Sequence, residues 1–229
     1  MAELVVAFDL PTGREALALA DRLPGLRWAK LGPVLYVREG PAVVQELTRR
    51  GVRVFLDLKW HDIPSTVAGA VSAARELGVA MATVHTLGGR AMLAAAARAG
   101  GDLPLVGVTV LTSHRNEDFE QVVGRGVPDL GAEAERLARL AIAAGLRGVV
   151  ASGHELVLLR EALGPGPLLV VPGIRIPEAA PPSSDDQARS IGPAEAVRQG
   201  ATHLVVGRPI TQAADPALAY RLFLEACDA

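Results

Sequence analysis

Short, nearly continuous apolar runs recur along the chain, and between them Ala, Leu, Arg and Glu return at three- and four-residue intervals. A brief apolar run bounded by turn residues reads as a strand buried on both faces, and the longer spacing reads as an amphipathic helix. This predicts strands over 4–10, 27–32, 53–59, 81–86, 105–111, 148–153, 168–173 and 203–208. Helices are predicted over 14–23, 41–50, 65–77, 91–99, 132–144, 155–162 and 194–199. A last helix opens with Asp215 as N-cap and Pro216 at its first position, the preferred order for those residues.

Eight strands alternating with helices predict a parallel sheet covered by helices. Eight such units in 229 residues predict a single-domain α/β fold over residues 1–229, a (β/α)8 TIM barrel. A doubly wound open sheet is the alternative, and the count of eight favours closure. No linker or low-complexity stretch divides the chain.

A barrel carries its chemistry where strands end and the following loops begin. Asp9, Lys30, Asp57 with Lys59, His85, Thr112 with Ser113, and Gly207 with Arg208 all fall at such addresses. The stretch FLDLKWHDIPST (55–66) is the sharpest case, because Asp57 and Lys59 interrupt an apolar run and Asp62 follows at once. Alternation along a strand points Asp57 and Lys59 to one face and sends Leu56 and Leu58 toward the helices. A buried ion pair with Asp62 as a helix cap is one reading of this triple. Such a pair is costly and often stabilises nothing, which favours a functional site.

Composition sharpens this picture. Of 23 basic residues 21 are arginine, and the two lysines are Lys30 and Lys59. An ammonium can give up its proton near neutral pH and a guanidinium cannot, so these positions suit proton transfer. A formal net charge of -2 and the absence of Lys/Arg runs argue against nucleic acid and against an anionic membrane surface. No apolar stretch reaches the ~18 residues of a membrane span. The single cysteine, Cys227, precludes an internal disulfide, and the first residues lack the charged start of a signal peptide. Both features lead us to expect a cytoplasmic protein.

The ending VVGRPIT places Gly207 and Arg208 after the eighth strand, where barrels often bind phosphate. Gly207 lets backbone amides approach such a group, and Arg208 offers a two-pronged donor. The long polar stretch 174–193, rich in Pro and Ser, reads as a lid over the mouth. His61 and His85 lie near the mouth, but their spacing matches no standard zinc pattern, and they read as structural.

FLDLKWHDIPST resembles the D-x-K-x-x-D-I-P-x-T signature of the orotidine 5'-phosphate decarboxylase family. The likeness extends over essentially the whole chain through VAFDLP, AKLG, VHTLGGRAM, VTVLTS, VPGIR, the Gln187 loop and VVGRPIT, in the family's order. It implies decarboxylation of orotidine 5'-phosphate to UMP, the last step of UMP biosynthesis, with neither metal nor organic cofactor. Lys59, Asp57, Asp62 and Lys30 are then the catalytic residues. Asp9, Lys30, Ile63, Thr66, Thr112, Ser113, Pro172, Arg175, Gln187, Gly207 and Arg208 bind the substrate. The resemblance further implies a homodimer with shared active sites, in which Asp62, Ile63 and Thr66 serve the neighbouring subunit. A metal-dependent sugar-phosphate decarboxylase or synthase on the same scaffold would share the D-x-K-x-x-D triple, though an acidic ligand is expected where Lys30 stands. A non-catalytic phosphate-binding barrel is the other alternative, and it has no need of Asp57, Lys59 and Asp62.

Overall fold

The computed structural model describes residues 2–176 and 190–228. Eight parallel strands close into a barrel in sequential order: β1 (Glu3–Ala7), β2 (Trp28–Leu31), β3 (Arg53–Trp60), β4 (Met81–His85), β5 (Leu105–Val108), β6 (Gly148–Val150), β7 (Leu168–Val171) and β8 (His203–Val206). The seam joins β1 to β8 in register, with Leu4 opposite Leu204 and Val6 opposite Val206. Alternation divides the apolar residues between two layers. Val5, Ala7, Trp28, Phe55, Met81, Val106, Val170 and Val205 fill the barrel interior. Their neighbours Leu4, Val6, Phe8, Leu56, Val84 and Leu204 pack outward beneath the helices.

The helices are α1 (Gly13–Asp21), α2 (Pro33–Glu39), α3 (Pro41–Arg49), α4 (Pro64–Glu76), α5 (Gly89–Gly100), α6 (Asn116–Val123), α7 (Leu130–Ala143), α8 (Leu156–Leu163), α9 (Pro193–Arg198), α10 (Arg208–Thr211) and α11 (Pro216–Asp228). Asp215 caps α11, accepting from the amides of Ala217 and Leu218. Close approach of the helical layer depends on small residues at particular points. A Cβ on Gly107 of β5 would stand 2.8 Å from Thr86 and 3.0 Å from Ala141 of α7.

Three helices go beyond the sequence expectation. α2 and α10 begin at or beside prolines, and α6 lies in the β5–α7 connection. Its Phe119 joins Val110, Val127, Ala134 and Leu137 in a small separate core beside the mouth. Most strands also stop two or three residues short of the predicted ends, where ladder pairing ceases. Asp9 and Thr112 stand on loops that form the mouth, and Arg208 opens α10 beside them.

Candidate active site

At the C-terminal end of the barrel a cavity of about 500 Å³ opens over the interior layer. Phe55, Val170 and Val205 line its lower part, and Asp9, Lys30, Asp57 and Lys59 cluster along one wall. Thr112, Pro172, Gly173, Arg175, Gly207, Arg208, Thr211 and Gln212 line other parts of it.

The charged wall is a chain of alternating sign. Lys30 Nζ donates to Asp9 Oδ1 at 3.1 Å and lies 3.5 Å from Asp57 Oδ2. Lys59 Nζ reaches both oxygens of Asp57, each at 2.9 Å. Thr83 on β4 donates its hydroxyl to Asp57 Oδ1 at 3.0 Å. Burial pushes the Asp57 carboxyl up, but the ammonium groups of Lys30 and Lys59 outweigh it and hold the group below its ordinary range. The two lysines differ in access. Both side chains line the cavity, but that of Lys30 is 11% exposed and that of Lys59 38%, so Lys59 is the more accessible of the two.

Strand β3 does not reach this arrangement by plain alternation. Pairing with β4 runs from Leu56 opposite Ala82 to Trp60 opposite Val84, which leaves two extra residues on β3. Within this bulge Lys59 has φ 50°, and among the described residues no other non-glycine side chain sits at positive φ. Such a backbone costs on the order of 1–3 kcal/mol and persists only where its surroundings hold it. The Lys59 amide donates to Thr83 Oγ1 at 2.8 Å, outside the ladder.

Other expected residues stand apart. Asp62, Ile63 and Thr66 are exposed at the start of α4 and do not line the cavity; Asp62 accepts from the amide of Ile63 at 2.6 Å. Ser113 is exposed and off the lining, unlike Thr112. Gln187 and most of the expected lid, residues 177–189, lie outside the described residues. Described residues on either side of it pair with one another: Arg175 N donates to Ile191 O and Ile191 N to Gly173 O. Sequence reading missed Thr211 and Gln212, which follow VVGRP on α10 and at its end. Their polar character beside a proposed phosphate site was the available signal.

His61 and His85 stack on one another, with ring centroids 5.6 Å apart. Burial, together with His61, Lys59 and His114 nearby, pushes His85 down to about 4. Among the described residues no group of three or more His, Cys, Asp or Glu side chains is arranged to hold a metal ion.

Residues 2–223 match the model of the orotidine 5'-phosphate decarboxylase / HUMPS family. The chain belongs to this family. A protein of Alkalilimnicola ehrlichii named orotidine 5'-phosphate decarboxylase is 53% identical over 218 residues, covering 93% of this chain and 91% of the relative. One of the same name from Opitutus terrae is 48% identical over 225 residues, covering 96% and 95%. Among solved structures, orotidine 5'-phosphate decarboxylase from Lactobacillus acidophilus superposes with a TM-score of 0.87 at 32% identity over the whole of both chains. The orotidine 5'-phosphate decarboxylase / HUMPS family match thus spans every strand of the barrel and both lysines of the charged wall.

Proposed function

We propose that the protein decarboxylates orotidine 5'-phosphate to UMP and CO2, the last step of UMP biosynthesis. The observation that carries this reading is the Asp9–Lys30–Asp57–Lys59 chain at the mouth, with both lysines lining the cavity and Lys59 the more accessible. Loss of CO2 leaves an electron pair at C6 of the pyrimidine, with no conjugated system to absorb it. A fixed positive charge in a water-poor site stabilises that developing anion. Lys59 supplies the charge as the C6–carboxylate bond breaks, then donates a proton to C6 and recovers one from solvent. Asp57 holds Lys59 and faces the departing carboxylate. Lys30 and Asp9 bind the ribose side, and Thr112 or Ser113 the pyrimidine edge.

Arg208 and Gly207 bind the phosphate, with Arg175 and Gln187 closing over the nucleotide and Pro172 lining its bed. Asp62, Ile63 and Thr66 complete the site of a second subunit in a homodimer. Two observations support that: Asp62 stays outside the cavity of its own chain, and Ile63 is 64% exposed. The residues supply both charge and proton, so this reading calls for no metal or cofactor. No helix among the described residues is long and apolar enough to cross a membrane, and we read the protein as cytoplasmic.

The test is to mix purified protein with orotidine 5'-phosphate in EDTA and follow the fall in orotate absorbance. Turnover in EDTA is expected. Its absence, with the protein folded, would refute the reading.

A further inference from the structure

Thr83 is fully buried in the middle of β4, a position where valine would pack equally well and leave no hydroxyl to satisfy. Its hydroxyl is used twice. It accepts from the Lys59 amide at 2.8 Å and donates to Asp57 Oδ1 at 3.0 Å. Asp57 Oδ1 in turn receives Lys59 Nζ at 2.9 Å. The bonds close a ring running from the Lys59 main chain through Thr83 and Asp57 to the Lys59 head group.

That ring spans the bulge. Between the Leu56–Ala82 and Trp60–Val84 pairs, three residues of β3 face Thr83 alone. A bulge removes ladder partners from the extra residues, and here the Thr83 side chain takes the Lys59 N–H. The same residue carries the positive φ, a conformation that needs external support. We propose that Thr83 is a positioning residue that clamps the β3 bulge, fixing the Lys59 backbone and the Asp57 carboxylate with one hydroxyl so that the ammonium is aimed into the cavity. The proposal rests on Lys59 being the proton donor, as argued above.

Two measurements test it. The first is steady-state turnover of orotidine 5'-phosphate by Thr83→Val, Thr83→Ala and Thr83→Ser. Loss of a hydrogen bond to a charged group predicts that kcat falls roughly 10- to 100-fold in Thr83→Val and Thr83→Ala, with KM little changed. Thr83→Ser, which keeps the hydroxyl, recovers most of that loss. The second measurement is independent of activity. The chain has two lysines, so [15N]lysine labelling gives two backbone amide signals, Lys30 and Lys59. Hydrogen exchange at Lys59 is expected to accelerate in whichever of the valine and alanine proteins folds, to stay slow in the serine protein, and to leave Lys30 unaffected. Unchanged Lys59 exchange without the hydroxyl would overturn the proposal, as would wild-type kcat in Thr83→Val or a serine variant as poor as valine. If the wild-type protein itself shows no turnover, the functional reading falls and the exchange result alone judges the clamp.

Discussion

Lys59 is the residue on which charge, geometry and composition converge. It shares Asp57 with Lys30, but its side chain is the more exposed of the two, and arginine fills every other Lys/Arg position in the chain. Arginine at position 59 would keep a positive charge near C6 and have no proton to give. Lys59→Ala and Lys59→Arg are both expected to lower turnover by at least roughly 10²-fold, the usual worth of a positioned general acid. Circular dichroism should find both variants folded. Lys59→Arg at near wild-type rate would make the charge alone sufficient and remove the proton-donor role. A second residue-scale consequence concerns acid stability. His203 lies edge-on to Trp28 at 5.3 Å, and burial, with Arg53 beside it, pushes it down to about 4. His85 is held equally low. An unfolded histidine titrates near 6.5, so between pH 6.5 and 4 the unfolded chain binds more protons than the folded one. Stability is therefore expected to fall as pH drops through that window, as read from urea midpoints. A His85→Gln, His203→Gln double variant should flatten the slope; an unaltered slope would refute the assignment.

At the scale of elements, periodicity carried most of the fold. All eight strands and the helices predicted between them stand in the expected order, because a strand buried on both faces leaves an apolar run that little else produces. The misses have physical causes. In α2, Pro33 at the first position is a proper start signal, but Val34 and Val37 read against a helix. The α6 cap joins Arg115 to Asp118 and not the usual Ser or Thr to Glu. The β3 bulge was invisible, since FLDLKW alternates like a regular strand and positive φ is ordinarily announced by Gly, Asn or Asp. Plain alternation thus led to the correct facing of Asp57 and Lys59 by an incomplete route. One glycine makes an element-scale prediction. A Cβ on Gly148 of β6 would lie 2.2 Å from the Leu168 carbonyl oxygen and 2.5 Å from the Leu168 Cβ, forcing β6 and β7 apart. Gly148→Ala is expected to cost about 1–3 kcal/mol in urea unfolding. A neutral result would require the β6–β7 seam to yield freely.

At the scale of the whole molecule, the carboxylate of interest is Asp62, which stands outside the cavity of its own chain. Asp57 and Lys59 announce themselves by interrupting an apolar run, but nothing near Asp62 in the sequence indicates where it acts; that came from the family likeness. In the fold Asp62 is exposed beside Ile63, which is 64% exposed, while Val34 and Val37 on α2 are 58% and 82% exposed. These apolar side chains follow the adjacent strands β2 and β3, the end of the barrel at which a second subunit would have to sit to share a site. A two-fold dimer makes the sharing reciprocal. Lys59→Ala and Asp62→Ala proteins are each expected to be nearly inactive alone. Mixed in equal amounts and allowed to exchange subunits, half of the dimers are hybrids, and each hybrid combines an intact Lys59 from one chain with an intact Asp62 from the other at one of its two sites. Activity should then recover to roughly a quarter of wild type. If exchange is demonstrated by mass-tagged subunits and no activity returns, Asp62 does not act across the interface, and its exposure beside α4 has to be explained within a single chain.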